Sequence, residues 1–285
     1  MDLQASNDYL LKLLEKGEPF FISRLGMGPE TILTKEYLEK GLDGKIVGTS
    51  MDCTGIYSKS GDISKFVEFA KAYNNAVENS SAIACLKGGG WFTPYQDFFL
   101  KKYRLDSLSY QVLEPFYCCE EGIVPWTLSL KGKKILIVNS FVESMKKQLA
   151  NKFQMFKDKK IFHDDQEFVF YKSYQTISGN YLHSDWSETF ALMCKDIEAL
   201  DFDIALLGCG GYGLPLCDFI KTKLGKSAVY IGGGIQLLFG IMGSRWEKSP
   251  FWTKIIAEND PKFIRPSGDE ICPNNHRVDG GGSYW

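Results

Sequence analysis

The chain has no surplus of charge of either sign: 33 Lys and Arg stand against 35 Asp and Glu, leaving a net charge of −2. A general nucleic-acid binder needs clustered cations to neutralise phosphates, so that class is disfavoured. No apolar run approaches the roughly 20 residues a membrane-spanning helix needs. The opening stretch, MDLQASNDYLLKLLEKGE, carries leucines at helical spacing (Leu3, Leu10, Leu11, Leu14) between polar flanks. It lacks the apolar segment and small-residue cleavage site of an export signal, so a cytoplasmic protein without a transmembrane segment is expected. Metal and disulfide patterns are missing too. His163, His183 and His276 share no ligand spacing, and the eight cysteines form no CxxC pair. Several cysteines fall inside apolar patterns, which suits reduced, buried thiols and argues against zinc. No P-loop signature and no GxSxG occurs, so P-loop and serine-hydrolase chemistry have no support. There is no repeat, low-complexity tract or long linker.

What the chain does have is alternation. Apolar runs at 19–25, 45–49, 82–86, 133–139, 168–173 and 203–207 read as strands. Helical patterns lie between them at 30–40, 62–78, 93–103, 141–156 and 186–200. Ser184 or Asp185 is the expected N-cap of the last of these, with Glu188 in its first turn. Residues 109–127 read as irregular, and the chain turns polar after Trp246. Unbroken apolar strands alternating with helices imply an α/β fold that is Rossmann-like, a mostly parallel sheet with helices on both faces. A single unit over 1–285 is expected, built as two αβ halves around a cleft, about 1–130 and about 131–285.

The densest signal runs from Asp203 to Trp246: strand, glycine turn, helix, strand, second glycine turn, helix. Both turns fall at strand C-terminal ends, where open parallel sheets bind ligands. Gly208, Gly210 and Gly213 spell GxGxxG, which lets backbone approach a phosphate at a helix N-terminus. A dinucleotide site also wants an acid at the end of the next strand. Here that strand ends in Gly232-Gly233-Gly234, which disfavours NAD and weakens the case for S-adenosylmethionine. Tight strand–helix packing without a ligand is the bland alternative, and three glycines equally suit close approach of another backbone. Gln236, in the next turn, would read a base edge or sugar hydroxyl, or simply satisfy the loop. Arg24, near the end of a buried strand and beside Gly26, would grip a phosphate or pair with Glu30. The candidate nucleotide-binding set is Arg24, Gly26, Gly208, Gly210, Tyr212, Gly213, Gly233, Gly234 and Gln236. Among acids, Glu30 and Asp52 follow strands of the first half and point toward the crevice. They are the expected catalytic pair. Asp201 and Asp203 begin a strand at the opposite end, and Asp165 and Glu167 lie in a charged loop. Trp91 and Trp126, in loops, are the tryptophans placed to stack on a sugar or base.

Two segments together resemble the GT-D-type glycosyltransferases, the group first described from a domain of unknown function in bacterial adhesin glycosylation. Ile22–Glu30, ISRLGMGPE, resembles that family's RFGDGE strand-turn. Leu206–Gly234, LLGCGGYGLPLCDFIKTKLGKSAVYIGGG, resembles its C-terminal strand–helix–strand. A closer likeness, over most of the chain, is to uncharacterised proteins of polysaccharide gene clusters and large viruses. It is carried by Pro125–Thr127, Leu130–Val138, Phe141, Glu143, Ser144, Gly210–Leu216, Gly233–Trp246 and Tyr284-Trp285. The resemblance implies sugar transfer from a nucleotide-sugar donor to a glycan or lipid-linked acceptor, with a D-x-E motif holding Mn²⁺ or Mg²⁺ and the diphosphate. This chain has Met27-Gly28-Pro29 where the family has Asp-Gly-Glu, with Glu30 one place later. A divalent metal would therefore fall to Glu30 or to Asp52, or transfer would run without one. The expectation is a glycosyltransferase with Glu30 or Asp52 as base or metal ligand. The alternatives are an S-adenosylmethionine methyltransferase and a non-catalytic nucleotide- or glycan-binding protein.

Overall fold

The computed structural model describes the whole chain except residues 43, 45, 46, 49–53, 89 and 279–281. Seven strands form one all-parallel sheet: β1 (Phe21–Arg24), β2 (Ala82–Cys85), β3 (Asp106–Ser109), β4 (Lys134–Asn139), β5 (Glu167–Lys172), β6 (Ile204–Gly208) and β7 (Ser227–Tyr230). Their order is β3-β2-β1-β7-β6-β4-β5. The first three strands and the last four thus lie edge to edge, joined where Phe21 pairs with Ala228 and Ile22 with Val229. The fold is α/β and Rossmann-like, as the alternation implied.

Parallel neighbours cannot be joined by a tight hairpin, so helices carry the chain back across the faces. Successive side chains of a strand alternate between those faces. In β4, Leu136 and Val138 face a core shared with Leu33 of α2 (Pro29–Lys40), Phe66 and Phe69 of α3 (Ile63–Asn79) and Phe99 of α4 (Thr93–Tyr103). Trp186 and Met193 of α7 (Trp186–Glu198) and Leu216 and Ile220 of α8 (Gly213–Thr222) complete it. Ile135 and Ile137 face the other core, with Leu10 of α1 (Leu3–Lys16), Phe116 of α5 (Phe116–Glu120) and Met145 of α6 (Val142–Ala150). Leu237 of the single turn α9 (Ile235–Leu238) and Trp252 of α11 (Pro250–Asn259) close that side; α10 (Ser244–Glu247) precedes α11.

Helix caps follow the side chains available. Asp185 accepts from the Glu188 amide at 3.0 Å while Glu188 Oε2 accepts from the Ser184 amide at 2.8 Å, a reciprocal arrangement like a capping box. Several expectations shift. The helix expected over 141–156 ends at Ala150, and Lys152 takes a left-handed φ of 55° that breaks the helix. The stretch 109–127 contains helix α5, and β3 begins just before it. The tail after Trp246 holds the ten-residue α11, started by Pro250 at a helix N-terminus, where its missing N–H costs nothing. The strand expected at 45–49 lies outside the described residues apart from Val47 and Gly48, which are helical. Among the described residues no helix is long and apolar enough to cross a membrane. The described cysteines are all free. Burial pushes Cys118 up to about 12 and Cys119 up to about 11, as expected of inert thiols.

Gly213 opens α8 directly against β7. A methyl group there would lie 2.1 Å from the Tyr230 ring, which is itself buried. Gly213→Ala gains about 1 kcal/mol of helix propensity, yet overpacking of this kind costs about 1–3 kcal/mol and here meets a ring that cannot withdraw. Net destabilisation in urea unfolding is the expected outcome.

Candidate functional site

A cavity of about 600 Å³ opens over the C-terminal ends of the strands. That is within the range of about 300–1,000 Å³ typical of small-molecule sites. Its walls come from the segments that follow β1 (Arg24, Gly26–Glu30), β4 (Asn139–Phe141), β5 (Ser173–Ile177), β6 (Gly208–Gly210) and β7 (Tyr230, Gly232, Gly233). Thr54, Arg245 and the segment Ser283–Trp285 also contribute. The cavity spans the β1–β7 seam, where the chain leaves β1 for α2 on one face of the sheet and leaves β7 for α9 on the other. Crevices of this kind are where open α/β sheets hold ligands.

Glu30 sits in the first turn of α2 and is buried. Its side chain folds back over the turn that precedes the helix. A methyl at Gly26 would lie 1.8 Å from Glu30 Oε1, and one at Gly28 2.8 Å from Oε2. The two glycines thus make room for a carboxylate at a helix N-terminus, where the macrodipole favours negative charge. Thr31 Oγ1 donates to Gly26 O at 2.6 Å, and the Gly26 amide donates to the Tyr73 hydroxyl at 3.1 Å, fixing the turn. Burial first, then the Glu30 charge, holds the Tyr73 phenol well above its usual range.

The turn Gly232-Gly233-Gly234 is a socket for three side chains from distant parts of the chain. Gly232, at φ +78°, leaves room for Arg24, whose Nη1 would lie 2.1 Å from a methyl there and donates to Ile231 O at 3.2 Å. Gly233 admits the ring of Tyr284, 2.6 Å from a methyl. Gly234 admits Glu114, whose Oε1 would lie 2.1 Å from a methyl. The close approach that three glycines permit is here made by the protein's own side chains.

Gly208 lies under Ile235 and Gly232 O, and Gly210, at φ +58°, faces Thr54 O; both line the cavity. Gly213 and Gly234 do not line it; their neighbours are Tyr230 and Glu114. Tyr212 lines the cavity, but its hydroxyl bonds Thr176 Oγ1 at 2.7 Å and its ring stacks on Trp186. Gln236 is buried and spends its amide nitrogen on Ile241 O at 3.2 Å and Tyr284 O at 3.1 Å, so it anchors the tail. Asp52 lies outside the described residues. Asp201 and Asp203 stand at the far end of β6, tied to Lys134. Trp126 is fully buried with Nε1 on Val112 O, whereas Trp91 is 59% exposed.

Arg245, Glu114, Asn139 and the tail also shape the site, beyond the residues expected from sequence. Arg245 lies over the rings of Trp246 and Tyr284, 5.2 and 5.1 Å from their centroids, and faces the cavity. Neither Arg24 nor Arg245 has an ion-pair partner among the described residues. Asn139 bridges strand ends, donating to Gly208 O at 2.6 Å and accepting from the Phe141 amide at 2.8 Å. The tail is pinned by Trp285 Nε1 to Glu270 O at 2.8 Å, while the Glu270 carboxylate, 1% exposed, accepts from the Glu143 and Ser144 amides and the Ser144 hydroxyl. A carboxylate brought from far along the chain thus caps α6. An acid inside the apolar stretch QVLEPFYCC was the available signal for Glu114, and the Arg-Trp pair for Arg245.

The described residues lining the cavity do not fit a divalent-ion site. Such ions take several hard oxygen ligands, while Met27 supplies a thioether and Glu30 is the single carboxylate lining the cavity among the described residues. Those residues assemble no group of three metal-ligating side chains. Comparison with protein-family models, curated proteins and solved structures finds no match.

Glu270→Ala removes the side-chain cap of α6 and loosens the ground on which Trp285 rests. A loss of about 1–2 kcal/mol is expected, read as a lower urea midpoint with an unchanged slope.

Proposed function

We propose that the cavity binds the diphosphate of a nucleotide sugar and that the chain is a glycosyltransferase acting on a hydroxyl acceptor. The observation that carries this reading is the pair of guanidiniums, Arg24 and Arg245, lining one cavity without an ion-pair partner among the described residues. Guanidinium is the side chain best matched to phosphate, offering planar, bidentate donors. Transfer of a sugar leaves a nucleoside diphosphate whose charge grows as the glycosidic bond breaks. Fixed cations at that point stabilise the transition state more than the ground state. Glu30, on the same wall, has the chemistry to accept the acceptor's hydroxyl proton. Charge neutralisation in this reading comes from the arginines, with no step routed through a metal. The resemblance of Ile22–Glu30 and Leu206–Gly234 to the GT-D group supports the same conclusion, as do the tail aromatics Tyr284 and Trp285, which offer faces for a base or sugar ring.

Calorimetric titration with a panel of nucleotide sugars, nucleoside diphosphates and S-adenosylmethionine tests it. One nucleotide-sugar family is expected to bind with or without Mn²⁺. Arg24→Ala and Arg245→Ala are each expected to weaken that binding about tenfold or more, the scale of a lost charge-assisted hydrogen bond. Binding of S-adenosylmethionine alone would replace the reading with methyl transfer. Glu30→Gln is expected to leave donor binding within about threefold and to slow transfer about 10²–10⁴-fold. Donor binding without turnover in the wild type would make this a binding protein instead.

A further inference from the structure

Glu114 does not line the cavity, yet it stands directly behind the cationic wall. It follows a 3-10 turn over Tyr110–Leu113 and is 9% exposed. Its carboxylate is fitted against the backbone of Gly234, two residues from the glycine that makes room for Arg24. The groups that bear on it electrostatically are Arg24 from β1, Arg245 from α10, and the hydroxyls of Tyr110 and Tyr117 on its own segment. Neither arginine reaches ion-pair distance.

A buried carboxylate is disfavoured in its charged form unless it is paired or hydrogen-bonded. Here the two guanidiniums favour the charge and burial opposes it. Burial wins, and the carboxyl is pushed up to about 7. Around neutrality Glu114 therefore exists in two forms. The ionised form leaves the group of three with one net positive charge, and the protonated form leaves it with two.

We propose that Glu114 is a positioning residue for the anion site, setting the net charge that Arg24 and Arg245 present to the cavity, so that an incoming phosphate group is accompanied by a proton taken from solvent onto the Glu114 carboxylate. The inference rests on the anion reading of the cavity given above. The bound anion offsets the guanidinium charge that favours carboxylate ionisation and adds repulsion of its own, and both effects favour the protonated acid. The sign follows. Below about pH 7 Glu114 already carries its proton and affinity is at its plateau. Above it, binding must draw in a proton, and affinity falls by up to about tenfold per pH unit until the acid of the complex itself ionises.

Sulfate is the probe, because it keeps two negative charges across the range and has no titration of its own. Its dissociation constant is measured by calorimetry between about pH 6 and about pH 8.5. The wild type is expected to weaken about tenfold over that span, while Glu114→Gln, which holds the neutral shape, stays flat at the low-pH value. Calorimetry of the wild type in two buffers of different ionisation enthalpy gives the proton count without any variant, and net uptake near pH 8 is expected. Flat wild-type affinity with no proton uptake, while Arg24→Ala still abolishes binding, would overturn the role of Glu114 and leave the anion site standing. Absent sulfate binding, or binding indifferent to both Arg24→Ala and Arg245→Ala, would overturn the anion site and this inference with it.

Discussion

The site depends on one packing constraint, the close approach of three side chains to the backbone of Gly232–Gly234. Arg24, Tyr284 and Glu114 reach that turn from β1, from the tail and from the segment after β3. Each occupies the space a Cβ would take. The turn is therefore less a cradle for a ligand than a junction that fixes a cation, an aromatic face and a carboxylate relative to one another. Whatever binds in the cavity meets groups whose positions are set by steric exclusion, which is what preorganisation requires.

The β1–β7 seam puts that junction at the wall of the cavity. Because the strands on either side of the seam are followed by connections that diverge, their C-terminal loops leave a crevice between them. Arg24 is the last residue of β1, and the glycine turn begins just past β7. The position of Arg24 is thus a direct product of strand order, while Arg245 is brought in by α10. Carboxylates supply the rest of the order around it. Glu30 lies at the start of α2 and Glu270 at the start of α6, each a negative group at a positive helix end.

The sheet was legible because its central strands are buried on both faces and read as unbroken apolar runs. Two features escaped for reasons of edge and context. The edge strand β3 reads Asp-Ser-Leu-Ser, a composition with no strand signal, and its pairing to β2 is what makes it a strand. Helix α11 follows a polar segment, and its role is fixed by the burial of Trp252 against Phe116. At the site, Arg24 was visible because charge at the end of an apolar strand is unusual, and Glu30 because it is an acid just past that strand's C-terminal end. The glycine pattern was visible too, but its meaning was not. Only the neighbours distinguish a glycine that admits a ligand from one that admits Arg24 or Glu114. Arg245 and Tyr284 come together through the contacts of Gln236 and Gly243 with the tail, which spacing along the chain does not encode.

The pairing of Ile22 with Val229 has a consequence for how the molecule comes to exist. It brings together strands more than 200 residues apart along the chain, and long-range pairings in parallel sheets form slowly because chain entropy is lost before contacts reward it. The cavity takes walls from both sides of that pairing. Arg24 belongs to one half and its glycine socket to the other. On the anion-site reading, a ligand held between Arg24 and the walls that follow β7 binds only a chain in which this long-range pairing has formed, and so stabilises that pairing.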